Sequence, residues 1–177
     1  MGGHMAVVRT STIAIVLSVF SFWVSAQQWQ VPAPQSFDTT NICLGNLQQP
    51  LTVELADTTA QHARGLMQRE SLGTFEGMLF RYPQVRPGSS GFWMYQTLIP
   101  LDIAYLNARG EVVKTFTMLP CGSDDPSQCR SYAPGKNYQY ALEMNAGFFA
   151  DHDIRLGDRV TIVGSVEDGQ QCDELLQ

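Results

Sequence analysis

The chain is poor in positive charge and in histidine. Eleven Lys and Arg stand against 17 Asp and Glu in 177 residues, a formal charge of −6, with 3 His. No basic cluster occurs, which argues against a nucleic-acid partner and against an anionic membrane surface. The sequence also has no G-x-S-x-G, no glycine-rich phosphate loop and no H-E-x-x-H, so no cofactor or familiar hydrolase motif is present. Metal ligands are equally scarce. There is no C-x-x-C, and beyond the first residues only His62 and His152 carry imidazoles, so no zinc set is expected. Met67, Met78, Met94, Met118 and Met144 are soft donors, but no M-x-M or M-x-x-M spacing gathers them; they read as core filling. "DDPSQ" (124–128) lacks a calcium-loop spacing.

Long apolar runs are missing except near the start. After "MGGHM", which is set aside, Arg9 precedes the apolar stretch Ile13–Val24, and "VSA" ends at Ala26 with small residues at the cleavage positions. That is the pattern of a secretory signal over residues 1–26, too short to span a bilayer comfortably. Its removal would take away one Arg and leave 151 residues at a formal charge of −7, enough for one domain with a single core. No stable membrane insertion is expected after cleavage, and the destination is the periplasm or the exterior.

Cysteine, by contrast, is present in an even number. In an exported chain Cys43, Cys121, Cys129 and Cys172 read as two disulfides, for which three pairings exist. Cys121 and Cys129 bracket one loop while Cys43 and Cys172 lie near the two ends, favouring 121–129 and 43–172. A cysteine nucleophile is then disfavoured.

Residues 27–50 are rich in Gln, Pro and Asn and read as an extended leader; residues 167–177 read as a tail. Between them, over 51–166, lies the domain. "LTVELAD" (51–57) alternates as a strand, and Thr58 followed by Gln61 predicts a capped helix to about Arg69, with Gly65 as its weak point. "GMLF" (77–80), "FWMY" (92–95), "LDIAYL" (101–106), "EVVKTFTML" (111–119), "NYQYALEM" (137–144) and "RVTIVGSV" (159–166) are further strand candidates, with "NARG" (107–110) as a hairpin turn. "NAGFFADHD" (145–153) predicts one helical turn capped by Asn145. About seven short strands, one or two short helices and no β-α-β rhythm predict a mainly β domain, a compact barrel or a sandwich.

The ordered set "RGLMQRESL" (64–72), "GMLF", "FWMYQTLIPLDIAYL" (92–106), "GEVV" (110–113), the "PC", "C" and "Y" of 120–132, and "ALEMNAG" (141–147) with "GD" (157–158) resembles the DUF192 family of small, often exported proteins. The resemblance covers roughly 51–164 and implies a small β-rich fold with a short helix; it implies no established reaction. Where the family usually has Asn-Thr, this chain has Gln96-Thr97.

Candidate site residues are the polar ones in apolar settings. Asp102 lies among Leu101, Ile103 and Ala104, and a buried carboxylate needs a partner. Arg64 and Arg69 are the expected partners, either as a clamp between helix and sheet or as the floor of a ligand pocket. Glu143, on a strand face with Gln139 and Ala141, is a second such acid, and with Asp102 it would form an acid–base pair if the two faced each other. Trp93, Met94, Tyr95 and Tyr132 offer either core or an aromatic platform for sugar faces. The leading expectation is a small polar ligand, a saccharide or envelope fragment, held by Arg64, Arg69, Trp93, Gln96, Thr97, Asp102, Tyr132 and Glu143. The alternatives are a hydrolase using Asp102 and Glu143, and a partner-binding module without a ligand. Nothing in the sequence specifies an oligomeric state.

Overall fold

The structure, a computed structural model, describes Gly2 and residues 30–177. The expected signal segment, Gly2 apart, lies outside the described residues, as do residues 27–29. Seven strands form one mixed sheet: β1 (Asp38–Leu44), β2 (Leu51–Ala56), β3 (Glu76–Arg86), β4 (Leu101–Leu106), β5 (Val112–Met118), β6 (Tyr138–Asn145) and β7 (Val160–Gly164). Among the described residues three short α-helices accompany them: α1 (Thr59–Arg64), α2 (Phe148–Asp151) and α3 (Cys172–Leu175). The domain is therefore mainly β. Its strand order is β5-β4-β6-β3-β2-β1-β7, antiparallel except for the β2–β3 pair, which α1 connects.

The sheet curls until its edge strands meet. Glu111 and Arg159 form a single bridge pair, and backbone bonds from Val112 N–H to Asp158 O and from Val160 N–H to Gly110 O hold that seam. The result is an open barrel rather than a closed one. Its interior holds Ile42, Leu44, Val53, Leu79, Leu106, Leu142 and Met144, joined by Phe148 and Phe149 of α2. The outer face of the same strands carries a second core of Met78, Phe80, Met94, Leu101, Ile103, Tyr105 and Tyr138. β4 is consequently buried at all six positions. Period-two alternation sorts its residues between two cores instead of between core and water.

Several local expectations change. The stretch read as a leader contributes β1, whose Ile42 and Leu44 are completely buried. The α1 capping box forms as expected: Thr58 Oγ1 accepts from Gln61 N–H at 3.2 Å and Gln61 Oε1 accepts from Thr58 N–H at 3.1 Å. The helix stops at Arg64, however, because Gly65 takes φ 45° with its Cα against Phe80; a Cβ there would lie 3.2 Å from Phe80 Cζ. "FWMY" is no strand. Only Phe92 bridges Tyr132, and the segment's backbone is satisfied by loop partners instead, with Phe92 N–H donating to Tyr105 Oη and Met94 O accepting from Cys121 N–H. α2 is capped by Gly147 at φ 89°, not by Asn145, whose side chain donates to Leu72 O and Gly73 O.

Cys43 pairs with Cys172 and Cys121 with Cys129. The first disulfide ties α3 to β1 across 129 residues, and Cys172 N–H adds a bond to Gln48 O at 2.8 Å. The second closes an eight-residue span in the long β5–β6 connection.

Candidate functional site

Asp102 has partners, and none is an arginine. Thr117, directly across the β4–β5 ladder, donates its hydroxyl to Asp102 Oδ1 at 2.7 Å, and the Phe149 backbone N–H donates to Oδ2 at 3.1 Å. Phe149 is the second residue of α2, so Asp102 caps that helix from the neighbouring strand where its own cap residue, Gly147, has no side chain to offer. The expected Arg–Asp clamp does not form. Arg69 Nη2 instead donates to both carboxylate oxygens of Glu54 on β2, at 2.8 and 2.6 Å. The reason is the fold's layering. Asp102 points to the barrel interior with Ala104 and Leu106, while the α1 end packs on the outer face.

Glu143 takes the opposite face. It pairs in register with Met78 of β3 and Ile103 of β4, and its side chain lies on the outer side with Ala141 and Phe80. Asp102 and Glu143 thus lie on opposite sides of one sheet, and a facing acid–base pair is not available to them. Glu143 is 4% exposed. It makes no hydrogen bond and no ion pair among the described residues, and burial alone pushes its carboxyl up to about 8.

The Glu143 side chain lines a cleft of about 40 Å³ under the end of α1, shared with His62, Arg64, Leu66, Phe92, Trp93 and Thr97. Thr97 is 7% exposed, and its hydroxyl also has no partner among the described residues. Arg64 is held by Pro32 O at 2.7 Å and Gln68 Oε1 at 3.0 Å, without a carboxylate within 4 Å among the described residues. Trp93 packs its ring at 5.6 Å from Tyr95 and remains 38% exposed at the rim. His62 Nε2 lies 2.8 Å from Ala56 O and 3.0 Å from Arg81 O. Two carbonyl acceptors require the proton on that nitrogen.

Of the residues singled out in the sequence, Arg64, Trp93, Thr97 and Glu143 meet at this cleft. The others do not. Gln96 turns the chain at φ 54° and offers its carbonyl to Gln68 N–H. That left-handed conformation suits Asn better than Gln, so Gln96 stands here at some backbone cost. Tyr132 is buried as a loop staple: its N–H donates to Phe92 O, its carbonyl accepts from Tyr105 Oη, and its hydroxyl accepts from Leu119 N–H. His62 and Phe92 were missed; a lone helical histidine and one aromatic in an aromatic run carry no pattern that marks them. Among the described residues no three His, Cys, Asp or Glu are grouped to hold a metal ion, and no helix is long and apolar enough to cross a membrane.

Two solved structures share this architecture. One, described provisionally as a transcription regulator from Sinorhizobium meliloti 1021, is 26% identical, covers 75% of this chain and all of its own, and superposes with a TM-score of 0.62. The other, a protein of unknown function from Novosphingobium aromaticivorans DSM 12444, is 29% identical over 76% of this chain and 94% of its own, with a TM-score of 0.58. No curated protein matches. The model of the DUF192 family, described as an uncharacterized ACR, matches residues 42–162, from within β1 to within β7. With well over half its length matched by that model, the chain belongs to the DUF192 family.

Proposed function

We propose that this protein is an exported binding domain whose cleft beneath α1 receives one polar group of a small ligand, a saccharide or a cell-envelope fragment. The observation that carries the reading is Glu143, 4% exposed, whose carboxyl has no partner among the described residues and opens on the same cleft as the Thr97 hydroxyl, which likewise has none among them. Among the described residues no fully buried side-chain oxygen lacks a partner, so the Glu143 and Thr97 oxygens reach the opening of the cleft, where one entering polar group can bond both.

Size limits what enters. The cleft volume is about 40 Å³, far below the roughly 300–1,000 Å³ of sites that enclose a whole small ligand, so a single hydroxyl or carbonyl enters and a sugar ring does not. The body of the ligand would lie outside, against the exposed edge of Trp93, whose ring suits a sugar face. With its proton retained at neutral pH, Glu143 donates to the entering oxygen, and Thr97 can accept or donate beside it. Arg64 supplies a cation at the rim. The acid–base hydrolase reading has no comparable support, since Asp102 is committed to Thr117 and Phe149 on the other face. Export is supported by the two disulfides, which persist in oxidising compartments, together with the signal pattern over 1–26.

The test is a thermal-shift screen of neutral mono- and oligosaccharides and envelope fragments at pH 6.5 and pH 9, on the wild type, Glu143→Gln and Thr97→Val. The expected result is a ligand that stabilises the wild type at pH 6.5, loses its effect as pH rises past about 8, and binds Thr97→Val more weakly. Glu143→Gln should keep its binding at pH 9, because an amide donates at any pH. A screen without hits, or hits indifferent to both substitutions and to pH, would overturn the proposal.

A further inference from the structure

α2 closes the barrel where β6 finishes and β4 begins; at the opposite end, where β4 finishes and β6 begins, the barrel is open. The opening has a volume of about 680 Å³. That lies within the range of drug-sized ligand sites, and barrel mouths are a usual place for them. Its floor is apolar. Leu79 and Leu106, each 1% exposed, and Val160 line it together with Tyr140, and Ile162, 44% exposed, forms part of its wall.

The rim is cationic in a chain whose formal charge is −6. Three arginines, Arg81, Arg109 and Arg159, line the mouth, against Asp57 as the one acidic residue among the lining groups. Arg81 is spent on Asp57, which takes a bidentate bond from Nε at 2.7 Å and Nη2. Arg109 and Arg159 share Glu111 between them, at 2.7 and 3.2 Å. Glu111 stays ionised, held down to about 2 by its bonds from Arg109, Asn107 and Arg159. Two guanidiniums against one carboxylate leave one positive charge uncompensated, tethered over an apolar floor. Arg159 uses only Nη2 on Glu111, which leaves its Nε and Nη1 donors for another acceptor.

We propose that this mouth binds an amphipathic monocarboxylate, its apolar body seated on Leu79, Leu106 and Tyr140 and its carboxylate between Arg109 and Arg159. The volume sets the size of the body, the floor sets its polarity, and the unmatched charge sets the sign of the head. The site is separate from the Glu143 cleft, since the two share no lining residue.

The test is calorimetric titration with decanoate and decyltrimethylammonium, both below their micellar concentrations, and with acetate, followed by amide shift mapping. Decanoate should bind saturably at one site, with acetate at least about a hundredfold weaker because it lacks the apolar body, and the cationic amphiphile at least about fivefold weaker because it lacks the carboxylate. Arg109→Gln combined with Arg159→Gln should weaken decanoate by about fivefold, a modest factor because both rim side chains are largely exposed. Ile162→Asp, at a wall position 44% exposed, should weaken it by a similar factor. Shifts should cluster at residues 106–110 and 160–162. No decanoate binding, equal binding of the cationic amphiphile, a folded double variant with unchanged affinity, or shifts gathered around Trp93 and Glu143 would each overturn the proposal.

Discussion

Asp102 and Glu143 sit on adjacent strands, one register step apart, and both are almost completely buried. Asp102 faces the barrel interior and receives two hydrogen bonds, one from the opposite strand and one from the start of α2. Glu143 faces the outer core and receives none among the described residues. The same residue chemistry in the same sheet therefore does two different jobs. One acid is consumed in closing an end of the barrel. The other is kept in reserve, next to an opening. Burial alone does not separate a structural carboxylate from a candidate binding group; the list of hydrogen-bond partners does.

The comparison breaks most visibly at Asp102. Asp102→Ala leaves the Thr117 hydroxyl and the Phe149 N–H without an acceptor, and should lower stability by about 3 kcal/mol, measured by urea unfolding at pH 7. If Asp102→Ala were nearly neutral, the capping role would be wrong. Glu143→Leu should go the other way at high pH. The Glu143 carboxyl is raised from 4.5 to about 8, so the folded state holds a proton that the unfolded chain has released. Its contribution to stability is full below pH 4.5, declines as pH rises, and is lost above about pH 8. Glu143→Leu should remove that slope and make the protein about 2 kcal/mol more stable than wild type at pH 9, since a buried unpaired charge costs more than it gives. A wild-type stability curve that is flat from pH 5 to pH 9 would mean the carboxyl is not buried in solution.

The two threonines repeat the contrast at smaller scale. Thr117→Val removes one of the two donors to Asp102 and should cost about 1–2 kcal/mol. Thr97→Val replaces an unpartnered hydroxyl with a methyl group and should change stability by less than about 0.5 kcal/mol, in either direction. Chemical denaturation of the two variants side by side is the sharpest check. If Thr97→Val costs as much as Thr117→Val, the Thr97 hydroxyl has a structural partner and the case for the cleft weakens.

Much of the fold was legible from pattern. Alternation placed β2 and β4 to β7 within one or two residues, and the Thr58–Gln61 box placed the start of α1. β1 was missed because Asn41, Cys43 and Gly45 interrupt its apolar residues, and Gln and Pro on both sides read as linker. "FWMY" reads as a strand because aromatic residues favour sheets, and the Tyr105 hydroxyl that takes its Phe92 N–H and the Cys121 N–H that takes its Met94 carbonyl come from elsewhere in the chain. At the site, Glu143 and Asp102 were both visible as charges in apolar runs, and their opposite faces follow from the pairing of Ile103 with Glu143. That register is a long-range fact no local pattern contains. The open barrel mouth was invisible for the same reason: Arg81, Arg109 and Arg159 are isolated in the sequence and converge only through the curl of the sheet.

By itself the sequence determined the class of the domain, the family and the residues that must be explained. Strand period, turn chemistry and misplaced charge are local properties, readable from neighbours within a few positions. Which acid is satisfied, which arginine pairs with which carboxylate, and where an opening remains were decided only by the tertiary structure. The reason is physical: the free energy of a buried polar group depends on whether a partner lies within about 3 Å, and in this fold the partners of Asp102 come from 15 and 47 residues away.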